Sequence, residues 1–392
     1  MSIKITSDSL RPEGFLYPIG GKPGRVTPGS SGNELYLWGY NAWGQLGQSD
    51  IVYRSSPIQV GALTNWSEVT VGFNHSMAVK SDGTLWSWGR NATGQLGHND
   101  DIARSSPVQV GALTTWSKIS AGASHSMAIK TDGTIWAWGD NANGQLGQND
   151  TVRRSSPVQV GSDTDWSQIS AGGEFNLVIK TNGTLWVWGL NSTGQLGLGD
   201  RVSISSPVQV GALTTWSKLA ADNRHSMVTK TDGTLWTWGD NEYGELGDNT
   251  TVYRSSPVQV GSDTNWSNVG SGDYHSTAIK TNGTLYAWGF NSSGQLGQND
   301  TVNRSSPTQV GALTTWSLVA NGPASRFAMA IKTDGTLWSW GRDNNGELGI
   351  NIRNENKSSP VQIGTSTWSK ISINGLHSSG INTFNLPDTI SY

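Results

Sequence analysis

The 392-residue chain contains no cysteine, which excludes disulfides, thiolate metal sites and a cysteine nucleophile. An excess of charge of one sign is missing too: the formal net charge is -3 and the pI about 6.1. No global basic field draws such a chain to nucleic acid or to an anionic membrane, and neither partner is expected. Long apolar runs are absent; none approaches the ~20 residues of a membrane-spanning helix. Residues 1–15 lack the apolar core of a signal peptide.

Tryptophan and glycine are abundant instead, with 20 and 50 residues. Each tryptophan buries roughly 150–250 Å², so a sizeable core is available although only 34% of residues are hydrophobic. The tryptophans keep a beat. Trp38, Trp88, Trp138, Trp188, Trp238 and Trp288 are fifty apart and Trp340 follows after fifty-two; Trp66, Trp116, Trp166, Trp216, Trp266, Trp316 and Trp368 form a parallel series. A fixed period of this length marks an array of supersecondary units, each too small to bury its own apolar face.

One unit, residues 66–111, reads as four strands. Residues 66–71 and 75–80 come first, and Asp82-Gly83 then supplies a hairpin turn that suits positive backbone dihedrals. Residues 84–88 form the third strand, with Trp86 and Trp88 on one face. A long loop leads to a fourth strand at 107–110, where Pro107 suits the start of an edge strand. Seven such copies predict an all-β fold, a seven-bladed propeller of four-stranded antiparallel blades. The chain enters on a third strand, 35–38, and ends after two strands, 368–373 and 377–382. The seventh blade is therefore expected to pair the N- and C-terminal strands, which removes a free sheet edge. This divides the chain into a non-repeat arm at 1–34, a propeller at 35–383 and a tail at 384–392.

The segments LWSWGRNATGQLG, SSPVQV and GASHSMAIKTDG resemble the repeats of the regulator of chromosome condensation family, across all seven copies. That resemblance implies the propeller fold. It says little about function, since the fold is similar in nucleotide-exchange factors, a plant ultraviolet photoreceptor, a secreted beta-lactamase inhibitor and many bacterial and phage proteins.

Motifs that look chemical fold back into the repeat. His75, His125, His225, His275 and His377 share one corner, but Phe175 and Phe327 occupy it in the other two copies. Phenylalanine neither ligates a metal nor carries a proton, so the column is read as packing plus a local hydrogen bond. The photoreceptor's Gly-Trp-Arg-His-Thr motif is replaced here by Gly72-Phe73-Asn74-His75-Ser76. No carboxylate pair, Ser/His/Asp set or phosphate loop stands apart from the repeat. No catalytic, metal or cofactor site is expected, and the chain is read as a non-enzyme.

Variation concentrates in the corner between strands one and two and in the loop after strand three. In an up-and-down blade both emerge on one face, and loops on a rigid scaffold are where binding usually resides. Tyr40, Trp43, Phe73 and Leu376 form one candidate apolar patch, and Arg224, Tyr243, Tyr274 and Phe290 a second.

Repeat regularity and the non-repeat arm lead to the expectation of a protein-interaction scaffold, foremost a phage or virion structural or receptor-contact component. It would be virion-associated or cytoplasmic, would dock into a larger particle through residues 1–32, and would bind another protein or a host-surface glycan. The alternatives are a bacterial binding protein such as an enzyme inhibitor or lectin, and a guanine-nucleotide exchange factor.

Overall fold

The structure, a computed structural model, describes residues 32–320 and 322–383. The expected docking role of residues 1–32 and the tail at 384–392 lie outside the described residues, Gly32 excepted. Within them are twenty-seven strands and no helix.

Blade 1 is an antiparallel sheet of Trp66–Val71, His75–Lys80, Leu85–Gly89 and Arg104–Gln109, in that order from the inside out. Blades 2 to 5 repeat it, starting on Trp116–Ala121, Trp166–Ala171, Trp216–Ala221 and Trp266–Gly272. The outer strand begins three residues before the expected Pro107, which instead falls in the irregular stretch between the pairings Gly89↔Arg104 and Ser87↔Val108. A bulge on an edge strand tolerates proline, because the missing donor faces no partner.

Blades 6 and 7 share one seven-stranded sheet, because Lys357–Asn374 serves first as the outer strand of blade 6 and then as the inner strand of blade 7. Elsewhere five residues, such as 111–115, turn between Val110 and Trp116; here only four, 364–367, separate Ile363 from Trp368. The shorter link runs straight through, and Thr367 pairs with Thr336. Blade 7 is completed by His377–Thr383, Asn33–Gly39 and Arg54–Gln59. The terminal strands pair residue for residue from Asn33↔Thr383 to Gly39↔His377. This is the closure that the sequence predicts.

Each blade stands on a buried tryptophan. Trp66 meets Trp86 and Trp88 edge-on or tilted at 6.3 and 6.5 Å, and Lys80 Nζ lies 3.7 Å from the Trp86 ring centre. A hydrogen-bond frame then joins blade to blade. Trp88 Nε1 and Ser76 Oγ both donate to the Gln45 carbonyl of the preceding blade, each at 2.8 Å. Trp138 and Ser126 do the same to Gln95, and Trp38 and Ser378 to Glu347. The corner histidines extend the frame: His75 Nε2 bonds Ser126 Oγ at 2.9 Å, and His125 Nε2 bonds Asn176 Oδ1 at 2.8 Å. Their role is structural, but the hydrogen bond crosses to the next blade and is not local. Burial pushes the His75, His275 and His377 pKa values down to about 3.

Candidate protein-binding face

Backbone hydrogen bonds fix two distinct faces. Arg90 N donates to Asn74 O at 2.9 Å and Tyr40 N to Leu376 O at 3.0 Å, which joins the strand 1–2 corner of a blade to its strand 3–4 loop. On the other side Trp116 N donates to Gly83 O at 3.1 Å, so hairpin turn and blade linker share the opposite face. At Gly83 (φ +78°) a Cβ would fall 2.1 Å from Thr114 O, which is why the turn keeps glycine. The variable segments thus gather on one face, hereafter the loop face.

Arg224 and Tyr243 from blade 4 meet Tyr274 and Phe290 from blade 5 there. Tyr243 packs at 5.3 Å on Tyr274 and 4.6 Å on Phe290, and Tyr274 lies 6.4 Å from Phe290. The Arg224 guanidinium stands 5.9 Å from the Tyr274 ring centre. All four residues of the second predicted patch are therefore together. Arg326 and its partner Asp273 complete it. Arg326, in the two-residue insertion of blade 6, stands 5.9 Å from the Phe290 ring centre and bonds Asp273 through Nε at 3.1 Å. Tyr274 holds φ 64°, uncommon outside glycine.

The first predicted patch is only partly assembled. Leu376 and Tyr40 are tied by the backbone bond above, and the Phe73 ring packs against Gly375, where a Cβ would come within 2.5 Å of it. Tyr40 stacks at 4.7 Å on Tyr53, a residue that sequence reasoning passed over. Trp43, 42% exposed, lies instead beneath the guanidinium of Arg90 at 5.0 Å.

Beneath the second patch lies a charged network that the sequence reading missed. Asp222 Oδ2 sits 2.5 Å from His225 Nδ1, and His225 Nε2 lies 2.8 Å from Ser276 Oγ. A Ser/His/Asp set is thus present, contrary to expectation. Its signal was an aspartate in a column that five of the other six copies fill with glycine, as at Gly72, Gly122 and Gly172. The proton arrangement opposes nucleophilic use. Ser276 Oγ donates to Glu245 O at 2.8 Å, so His225 Nε2 must donate to Ser276, and Nδ1 donates to Asp222. Burial disfavours the charged ring, but the Asp222 carboxylate, then Glu245 and Asp240, outweigh it and raise the His225 pKa. An imidazolium with both protons engaged cannot act as a base, and Asp222, His225 and Ser276 are buried.

Glu245 and Glu347 are further departures, standing where five copies carry glutamine. Burial pushes both carboxyl groups up to about 7. Asp343, in a column of asparagines, is pushed up to about 6 by burial.

Residues 154–383 match the RCC1-like domain, and residues 33–79 and 82–129 match the regulator of chromosome condensation (RCC1) repeat. The chain belongs to the RCC1-like domain family. A second description of the RCC1 repeat matches residues 66–95 and 116–145. None of the curated proteins matches the chain. Among solved structures, human WBSCR16 superimposes with a TM-score of 0.81 at 20% identity, over 90% of this chain and 99% of that one. Prp20p from Saccharomyces cerevisiae, described with its binding to Gsp1p and histones, gives 0.81 at 20% identity over 92% and 93%. Yeast RCC1 (Prp20) with Kap60 bound gives 0.79 at 18% identity over 95% and 97%. At these identities the likeness is one of fold.

These matches overturn the phage or virion structural and receptor-contact role expected from the sequence, since the family is that of the RCC1-like domain and the similar structures are human WBSCR16 and yeast Prp20. The physical reason lies in the frame. Every blade sends its tryptophan, and six of the seven also a serine or asparagine, to a glutamine or glutamate carbonyl of its neighbour, so near-identical copies follow from the propeller itself and say nothing of a particle. No helix among the described residues is long and apolar enough to cross a membrane.

Proposed function

We propose that this RCC1-like propeller binds a protein partner through its loop face, with Arg224, Tyr243, Tyr274 and Phe290 as the anchor. The observation that carries the reading is the convergence of these four off-repeat residues, from two blades, into one half-buried cluster on the face where variation gathers. Aromatic and arginine side chains dominate the energetics of protein interfaces. Tyr40, Phe73 and Leu376, with Trp43 set against Arg90, line a second contact region two blades away around the ring. Yeast Prp20 is described with the protein partners Kap60, Gsp1p and histones, and partners of that kind suit a rigid disk with a patterned face. Binding without covalent chemistry is the mode this reading assigns, because the Ser276–His225–Asp222 set is sealed and protonated against nucleophilic attack.

A photo-crosslinking amino acid placed at Tyr243, or at Thr131 in a hairpin turn, tests the reading, with purified Gsp1p and core histones as baits. Crosslinking from position 243 and not 131 supports it. Crosslinking from 131 alone, or from neither, rejects it.

A further inference from the structure

The loop-face cluster has a defined order: Arg224, Tyr274, Phe290, Arg326, with Tyr243 packed on both rings. Successive steps of 5.9, 6.4 and 5.9 Å run from one guanidinium to the other. The two ends differ from ordinary surface arginines. Their carboxylate neighbours lie underneath, Asp240 with a side chain 0% exposed and Asp273 at 12%, while Arg224 and Arg326 are 51% and 41% exposed. Arg326 uses only Nε on Asp273, at 3.1 Å, and Arg224 Nη1 comes no closer than 3.8 Å to Asp240. The terminal nitrogens at both ends are thus left to solvent or a partner; Arg326 is tied by its Nε bond to Asp273, and Arg224 stands within ion-pair range of Asp240.

A guanidinium with its terminal nitrogens free is a donor fork matched to a carboxylate. Between the forks lie rings that suit an apolar side chain. We infer that this stripe takes an acidic peptide segment of the partner, with two carboxylate side chains bracketing an aromatic or aliphatic residue. At ~3.3 Å per residue, an extended segment of about five residues covers the path between the forks. Long-range attraction plays little part. Asp240 and Asp273 offset the two arginines, Asp222 offsets His225, and the exposed Glu242 beside Tyr243 adds one more negative charge, so the stripe has no positive field and recognition comes from the forks at contact distance. The inference rests on the loop-face reading and adds the chemistry of what docks there.

The test uses the full chain and three fluorescein-labelled peptides, Glu-Ser-Phe-Ser-Glu, Gln-Ser-Phe-Ser-Gln and Lys-Ser-Phe-Ser-Lys, followed by fluorescence anisotropy. The glutamate peptide is expected to bind about tenfold more tightly than the lysine peptide. In the double variant Arg224→Gln, Arg326→Gln that preference should shrink to that of the glutamine peptide. Both expectations are read on protein whose thermal unfolding matches the wild type; the ranking on the unmodified chain needs no variant. A lysine peptide that binds as tightly as the glutamate one, or no binding of any peptide up to about 1 mM, overturns the inference. If the lysine peptide wins and Tyr274→Ala abolishes its binding, the acidic segment is wrong while the loop face stands. If crosslinking also maps elsewhere, both fall.

Discussion

Asp222 Oδ2 approaches His225 Nδ1 to 2.5 Å, with both side chains 1% exposed. In other blades the same histidine nitrogen has no hydrogen-bond partner, as at His75, His125 and His377. One aspartate in a glycine column thus turns a neutral packing histidine into a buried ion pair, directly below Arg224.

Its consequence for pH follows from the raised His225 pKa. A histidine whose folded pKa exceeds its unfolded value of about 6.5 contributes stability that is complete below that value, and loses it as pH climbs through the folded pKa. Asp222→Asn removes the charge that holds the proton. His225 should then fall below 6.5 and join the other corner histidines. Because a buried partner is lost, stability at pH 6 should drop by about 3 kcal/mol. Histidine NMR titration and urea unfolding read the two effects, and an unmoved His225 would disprove the pairing.

Glu347 works in the opposite sense. Its side chain is buried, one oxygen accepts from Asn345 N, and the other has no hydrogen-bond partner. With the pKa pushed up from 4.5 to about 7, the folded state holds a proton that the unfolded state has released. Stability therefore falls as pH rises from 4.5 to 7, and the full penalty persists above. Glu347→Gln restores the residue of five other copies. It should stabilise the protein by about 3 kcal/mol at pH 9 and leave it nearly unchanged at pH 4. Denaturant midpoints at the two pH values check this; an equal gain at both would place the effect in packing.

The blade-to-blade frame also has one broken link. His275 faces Ala328, at the position where other blades offer Ser126, Asn176 or Ser276, and its Nε2 lacks a hydrogen-bond partner. Ala328→Ser would accept from His275 Nε2 and donate to the Gln295 carbonyl, which now receives only Trp340 Nε1, at 2.9 Å. A buried donor gains a partner for the cost of one added oxygen. The expected gain is about 1 kcal/mol, measured by thermal unfolding against wild type.

The fold was legible because its determinants are periodic: Trp66, Trp88, Ser76 and the turn glycine recur at fixed offsets, and the ends of the chain show which blade is split. The site was legible only where its residues were conspicuous. Tyr243, Tyr274 and Phe290 are aromatic departures from the repeat, and Arg224 sits one residue before the corner histidine. Arg326 was hidden because residues 323–326 shift its column by two. Asp222 was overlooked for a different reason: its meaning depends on His225 and on Ser276, fifty-one residues further on, and no local pattern connects them. Trp43 shows the converse, since sequence places it near Phe73 but not which neighbour its ring chooses.

Closure of blade 7 carries the last prediction. Its inner half is C-terminal and its outer half N-terminal, joined over seven paired residues from Asn33↔Thr383 to Gly39↔His377. The same C-terminal strands reach blade 1, where Ser372 Oγ accepts from Val71 N at 3.1 Å and His377 Nε2 lies 3.2 Å from Ser76 Oγ. Removing residues 368–392 deletes both inner strands. It leaves Asn33–Gly39 and Arg54–Gln59 as a two-stranded ribbon, which is marginal by itself in water. It also strips the cover from Trp38 and from the inner strand of blade 1. The truncated chain should lose cooperative thermal unfolding and bind a hydrophobic dye, because an opened ring exposes a strand edge and two apolar blade faces. An unchanged melting temperature would show that the other six blades hold the ring without it.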